Sequence, residues 1–350
     1  MESSLQRGQI YAETRAFTQL EKLLVENDFS RVFFLCDENT HKHCLVPLLQ
    51  NISTLPPYEI LEIEPGESSK DPAVLNHLWE ALAAQHADRE SLIINVGGGV
   101  VTDLGGFMAA TYMRGIAFIN IPTSLLAMVD AASGSKTGIN LGGLKNLVGS
   151  FSSPLMVGLW PEFLRTLPFA ERRAGYAEML KHGLIASAPH LENLRAINAE
   201  YLPGTQLIEA SAAIKEQIVA QDPHEKGLRK ILNFGHTIGH ALETQSHREG
   251  KPLLHGEAVG LGMLAETRLS QKMQLLAKPE AEIVESLLEK HFGALKPQWN
   301  PLNALPHLKV DKKNQKGEQR YSLLTSIGTA RYNVAVPHSY AVQCLESLAV

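Results

Sequence analysis

Residues 92–96 (LIINV) form a short, mostly apolar run that breaks directly into Gly97-Gly98-Gly99. A run of that length bounded by glycine reads as a buried strand, and the glycines after it allow backbone shapes closed to other residues. Two more segments share this character: 31–35 (RVFFL), ending in Cys36-Asp37-Glu38-Asn39, and 116–121 (IAFINI). Residues 59–63 (EILEI) alternate like a strand, and 72–86 carry Leu75, Leu78, Trp79 and Leu82 in a helical pattern. Strands alternating with helix-length segments specify an α/β sheet domain. From about residue 170 the texture changes. Segments 171–186, 206–221, 257–276 and 280–291 read as helices with apolar stripes, and 311–334 as a charged turn with a short hairpin. The chain has 350 residues. That exceeds the roughly 250–300 at which one core stops growing. Two domains are therefore expected: α/β over 1–169 and helix-dominated over 170–350.

Composition narrows the function classes. Apolar residues make up 44% and charged residues 20%, as in an ordinary globular protein. A formal net charge of -5 argues against a nucleic-acid scaffold but leaves room for a local anion pocket. The three cysteines, Cys36, Cys44 and Cys344, form no disulfide framework and no CxxC pair. They read as buried thiols in a reducing, cytoplasmic setting. No secretory signal and no membrane span is expected, since no uncharged apolar run approaches about 18 residues.

Three constellations carry candidate chemistry. The run Gly97-Gly98-Gly99-Val100-Val101-Thr102-Asp103 follows a strand and precedes a helix start, whose free N–H groups suit an anion. It is neither GxGxxG nor a phosphate loop ending in GK[ST], so nucleotide or phosphate binding and ligand-free tight turns both remain open. Asp37 and Asn39, at a strand's carboxyl end, suit ribose hydroxyls or a solvated turn. Second, His236 and His240 share one face if their segment is helical; His255 follows, and Glu178 lies upstream. A carboxylate with imidazoles suits zinc, although the HExxH pattern is absent, and spacing alone leaves His240 as ligand or as neighbouring acid/base. Third, Lys136, Lys145-Asn146, Lys181, Lys215, Arg229 and Lys312-Lys313 make a scattered basic set. Arginine and lysine in that number suit a phosphate and a carboxylate; the bland alternative for each lysine is solvated surface.

Taken together, these motifs resemble the 3-dehydroquinate synthase family over nearly the whole chain. The resemblance runs through Pro65-Gly66-Glu67-Ser68-Ser69-Lys70, the glycine segment to Asp103, Arg114-Gly115 and Pro122-Thr123-Ser124-Leu125-Leu126-Ala127. It continues with Lys145-Asn146, Ala177-Glu178-Met179-Leu180-Lys181, Leu232-Asn233-Phe234-Gly235-His236-Thr237, His255-Gly256-Glu257-Ala258 and Asp311-Lys312-Lys313. It implies a Rossmann-like NAD-binding domain, a helical domain, an active site between them and a homodimer. Glu178, His236 and His255 would ligate a divalent metal, zinc or cobalt, with His240 beside it. Asp37, Asn39, Glu67, Lys70, Gly98, Gly99, Val100, Asp103, Thr123, Ser124, Lys145, Asn146 and Thr166 would line the NAD site. Asp130, Lys136, Asn146, Lys181, Lys215, Arg229, Asn233, His240 and one of Lys312 or Lys313 would serve substrate and chemistry. Arg114 would reach the phosphate from the partner subunit. The chain departs from the common family form at Met128–Lys136, at Ser124 in place of a threonine, and at Leu141-Gly142-Gly143.

The implied reaction converts 3-deoxy-D-arabino-heptulosonate 7-phosphate to 3-dehydroquinate and phosphate, the second step of the shikimate pathway, by a carbon–oxygen lyase. Hydride passes from C5 to NAD, phosphate leaves by β-elimination, hydride returns, and ring opening with aldol closure completes the carbocycle. The rivals are a sedoheptulose 7-phosphate cyclase, a 2-deoxy-scyllo-inosose synthase and a metal-dependent polyol dehydrogenase. Asn233, His240 and Asp311-Lys312-Lys313 favour the dehydroquinate branch.

Overall fold

The computed structural model describes residues 7–142, 144–197, 200–309 and 319–349. Asp311, Lys312, Lys313 and Gly143, singled out above, lie outside the described residues. The chain divides into two compact units, Met1–Leu167 and Pro168–Val350.

The first unit contains β1 (Gln9–Ala12), α1 (Thr14–Glu26), β2 (Val32–Asp37), the short helices α2 (Glu38–Thr40) and α3 (Val46–Gln50), β3 (Tyr58–Ile63) and α4 (Pro72–Ala84). It continues with β4 (Leu92–Gly97), α5 (Gly99–Thr111), β5 (Ala117–Pro122), β6 (Lys136–Leu141), β7 (Leu144–Phe151) and β8 (Met156–Leu159). Six strands form one sheet in the order β1-β8-β5-β4-β2-β3, and every pairing in it is parallel. Parallel strands covered on both faces need near-continuous apolar sequence, which β2, β4 and β5 supply. The edge strand β3 instead alternates at its end, with Leu61 and Ile63 inward. Phe33, Leu35, Ile93 and Phe118 from the sheet pack with Leu78 and Leu82 of α4 and Leu104 and Met108 of α5. The short strands β1 and β8 carried no clear pattern in the sequence, because four residues show too little period. Strands β6 and β7 form a separate antiparallel ribbon, with Leu141, Leu144, Leu147, Val148 and Phe151 exposed.

The second unit contains α6 (Phe169–Ala186), α7 (Ala188–Arg195), α8 (Thr205–Gln221), α9 (His236–Arg248), α10 (His255–Lys272), α11 (Lys278–Phe292), α12 (Leu305–Lys309), the hairpin β9 (Arg320–Ser326) and β10 (Thr329–Ala335), and α13 (His338–Glu346). Helices α6 and α10 are buried almost all round, over 174–185 and 256–267, and so lack a solvent face. Glycines let them approach their neighbours. A Cβ on Gly262 would fall 1.9 Å from the Gly235 carbonyl oxygen, and one on Gly256 would fall 1.9 Å from that of Ala174. The α9–α10 and α6–α10 crossings therefore require glycine at these points. The three cysteines are buried free thiols. Burial pushes Cys36 and Cys44 up to about 12, so neither is a ready thiolate. Among the described residues no helix is long and apolar enough to cross a membrane.

Candidate active site

In the first unit the chain steps from β2 to β3 on one side and returns to β4 on the other. The sheet order thus reverses between β2 and β4, and the crevice beyond the carboxyl ends of such strands is where open α/β sheets take ligands. Asp37 and Gly97-Gly98-Gly99 stand at those two ends. Asp37 caps α2, accepting the Thr40 amide at 2.8 Å, while its own amide donates to the Thr40 hydroxyl at 2.9 Å. Asn39 is exposed on that helix. Gly98 caps α5 without a side chain, and Gly99 and Val100 open the helix, as an N-terminal anion site requires. Thr123 is buried just past β5, and Ser124 follows it.

Lys70 is the first unit's buried cation, 3% exposed. Its ammonium donates to Asp103 at 2.7 Å and to the Asn146 side-chain oxygen at 2.5 Å. Asn146 adopts φ 50°, and its amide donates to Asn140, whose side chain in turn reaches Glu67 at 2.8 Å. One polar network therefore ties Glu67, Lys70, Asp103 and Asn146 together. Lys136 and Lys145 are exposed on the β6–β7 ribbon. Asp130 lies in a single π-helical turn over 127–131, half-buried. Thr166 is exposed and donates to the Phe163 carbonyl at 3.1 Å. Arg114 is exposed with φ 68°, after Met113 at φ 47°.

In the second unit α9 is helical from His236, so His236 and His240 do lie one turn apart. His255 opens α10. The three imidazoles converge: ring centres lie 5.3 Å apart for His236–His240, 5.3 Å for His236–His255 and 5.6 Å for His240–His255. One nitrogen from each falls within 4.8 Å of the others. Glu178 of α6 is fully buried beneath them. Its Oε1 lies 3.6 Å from His236 Nε2 and 3.9 Å from His255 Nε2. Lys181, one turn on, pairs with Oε2, while Oε1, the oxygen that faces the imidazoles, accepts no hydrogen bond. A buried carboxylate oxygen without such a bond is costly, and a cation held between Oε1 and the imidazoles would offset that cost.

Glu243, which the sequence reading did not single out, holds His255. Its carboxylate takes His255 Nδ1 at 3.0 Å. That bond keeps the proton on Nδ1 and turns the Nε2 lone pair toward Glu178. Burial alone would lower His255, but the hydrogen bond and charge of Glu243, with the charge of Glu178, outweigh it and hold the imidazole above its usual range. The only signal in the sequence was helical spacing, since Glu243 follows His236 by two turns.

Lys181, Lys215 and Arg229 are all buried in this unit, which departs from the solvated-surface alternative. Asp222 shapes the loop before Arg229, accepting the amides of Lys226, Gly227 and Arg229 at 2.9, 2.7 and 3.1 Å. Arg229 also donates to the Pro223 carbonyl at 2.7 Å, and Asn233 donates to Glu225 at 2.8 Å.

Comparison with known proteins agrees with this architecture. The family profile for the 3-dehydroquinate synthase N-terminal domain matches residues 60–174, and that for the C-terminal domain matches 175–314. The chain is 42% identical to a 3-dehydroquinate synthase of Parabacteroides distasonis over 335 residues, 94% of each chain. It is 39% identical to one from a Synechococcus strain over 302 residues, covering 83% of this chain and 81% of the other. Among solved structures, a 2-deoxy-scyllo-inosose synthase complexed with carbaglucose-6-phosphate, NAD+ and Co2+ superposes with TM-score 0.84 at 25% identity, covering 97% and 96% of the two chains. A 2-epi-5-epi-valiolone synthase from Streptomyces hygroscopicus with NAD+ and Zn2+ gives 0.78 at 25%, with the same coverage. The chain belongs to the 3-dehydroquinate synthase family.

Proposed function

We propose that this protein is the 3-dehydroquinate synthase of the shikimate pathway, a phosphate-eliminating lyase acting on 3-deoxy-D-arabino-heptulosonate 7-phosphate in the cytoplasm. The observation that carries the reading is the buried Glu178 carboxylate, whose Oε1 accepts no hydrogen bond and lies beside the Nε2 atoms of His236 and His255. These three are the metal ligands in this reading, and their oxygen and nitrogen donors suit Zn2+ or Co2+. When bound, the metal supplies Lewis-acid polarisation of substrate oxygens. NAD, when bound, supplies a hydride acceptor that is restored within each turnover. The first unit is the NAD domain, with the β2–β4 switch point and the Lys70–Asp103 pair at its centre. Its Lys136 and Asn146 serve the substrate, and Asp130 orients a proton acceptor or water.

In the helical unit, Lys181, Lys215, Arg229 and Asn233 bind the anionic substrate through charge-assisted hydrogen bonds. His240 relays the proton of the C5 hydroxyl, since neutral imidazole can take it near pH 7. The 42% identity to a 3-dehydroquinate synthase, against 25% to the inosose synthase, supports this branch over its rivals. A homodimer with Arg114 crossing to the partner is part of the reading. The exposed apolar face of the β6–β7 ribbon supports a second copy covering it.

Incubating metal-loaded protein with trace NAD and the heptulosonate phosphate should release phosphate and 3-dehydroquinate in equal amounts. Phosphate without 3-dehydroquinate, or turnover of sedoheptulose 7-phosphate instead, would overturn the assignment. Sedimentation analysis should show twice the chain mass, and a monomer would remove the role of Arg114.

A further inference from the structure

Helix α9 begins without a capping side chain. Gly235 precedes it at φ +80°, and the first amides of a helix have no partner within it. The acceptors come instead from α10. Glu266, 0% exposed, takes the Gly235 amide on Oε2 at 2.6 Å and the Ile238 amide on Oε1 at 3.0 Å. A buried carboxylate here is stabilised by two N–H donors and by the positive end of α9. Along α10, His255, Gly262 and Glu266 follow at spacings of seven and four residues, close to whole turns. One stripe of that helix thus presents a site imidazole, the glycine that admits the Gly235 carbonyl, and the carboxylate that fastens the start of α9. His236 is the first residue after the fastened point.

We propose that Glu266 is a positioning residue for the histidine site, fixing His236 against the helix face that carries His255. The inference rests on reading Glu178, His236 and His255 as metal ligands. An amide side chain cannot replace Glu266, because its nitrogen donates and one backbone N–H would lose its acceptor. Misplacing the start of α9 moves His236 relative to His255 and Glu178 and so weakens the metal more than it weakens the fold.

The test uses the full-length protein and Zn2+ affinity measured by chelator competition. Glu266→Gln should lose about 10–100-fold in Zn2+ affinity, the range for residues that orient metal ligands. It should also change the visible spectrum of the Co2+-loaded protein. Ser270→Ala is the matched control. It lies on the same helix, where its hydroxyl accepts the Leu324 amide at 3.0 Å and donates to the Glu266 main-chain carbonyl at 2.7 Å, and its loss leaves the Glu266 carboxylate with both α9 amides. It should lower the melting temperature while leaving Zn2+ affinity and the Co2+ spectrum as in the wild type. Glu266→Gln binding Zn2+ within about twofold of wild type, with an unchanged spectrum, would overturn the proposal. His255→Ala is run in parallel. If it too binds Zn2+ normally, the ligand reading fails instead. Should Glu266→Gln not fold, hydrogen exchange of the metal-free wild type decides. The Gly235 and Ile238 amides should be among the slowest to exchange, and free exchange of either refutes the capping.

Discussion

Glu243→Gln separates the orientation of His255, a proposed metal ligand, from the presence of its imidazole. Glu243 is nearly buried and its carboxylate receives His255 Nδ1 at 3.0 Å. A hydrogen bond to a charged group contributes about 1.5–3 kcal/mol, and a neutral one about 1 kcal/mol. Glutamine preserves shape and one acceptor, so the expected loss is about 1–2 kcal/mol, or roughly 5–30-fold in Zn2+ affinity. The mechanism is specific. With a carboxylate on Nδ1, the proton stays there and Nε2 presents a lone pair 3.9 Å from Glu178 Oε1. Two electron-rich atoms at that distance repel unless a cation lies between them. Weakening the Nδ1 bond frees the ring to rotate and lowers its basicity. The assay is chelator competition on Glu243→Gln, Glu243→Ala and wild type, with the melting temperature of each metal-free protein measured beside it. Alanine should lose more than glutamine, because it leaves Nδ1 without an acceptor. Equal Zn2+ affinity in all three proteins, while His255→Ala loses binding, would refute the argument.

Three more expectations follow from packing and charge. Gly262→Ala places a methyl 1.9 Å from the Gly235 carbonyl oxygen, so α9 and α10 must part. Overpacking of this kind costs about 1–3 kcal/mol, and purified protein should show both a lower melting temperature and less bound metal. Asp222→Asn removes charge from the carboxylate that gathers three amides before Arg229. A several-fold rise in KM for the sugar phosphate, with kcat little changed, is the expected readout. His291 is buried, with its Nδ1 hydrogen-bonded to the Tyr201 hydroxyl at 3.1 Å; burial, helped by Lys290, pushes it from 6.5 down to about 4. The unfolded chain therefore protonates first as pH falls. Stability present above pH 6.5 declines on the way down to about pH 4, by roughly 3 kcal/mol in total. Urea unfolding of His291→Gln should show a flatter loss over that window, and an identical slope would refute the assignment.

The elements that the sequence disclosed are those whose cause is local. Strands β2, β4 and β5 are buried on both faces, so their apolar runs stand out. Helices α8 and α11 carry one apolar stripe each, and the hairpin β9–β10 turns at Gly328 with φ +87°. The strands β1 and β8 were illegible because each is four residues long and pairs with the other across most of the first unit. The ribbon β6–β7 was hidden for another reason: its glycines and exposed leucines follow no period-two alternation.

The site divides along the same line. The residues proposed to meet a ligand come in motifs with unusual composition, such as the glycine run after β4 or the two histidines one turn apart on α9. Residues that hold them do not. Glu243, Glu266 and Asp222 are ordinary glutamates and an aspartate in ordinary surroundings until the fold places them. Their partners are a ring nitrogen twelve residues away, amides about thirty residues away, and a loop that only closes in three dimensions. Sequence spacing reports which side chains share a helix face, and nothing about which backbone amide lacks an acceptor. Gly235 shows the consequence. Its glycine is required by φ +80° and by the close approach of α10, and that same choice deprives α9 of a cap. The carboxylate that answers it had to come from the neighbouring helix, so the support of the histidine site becomes visible only once both helices are in place.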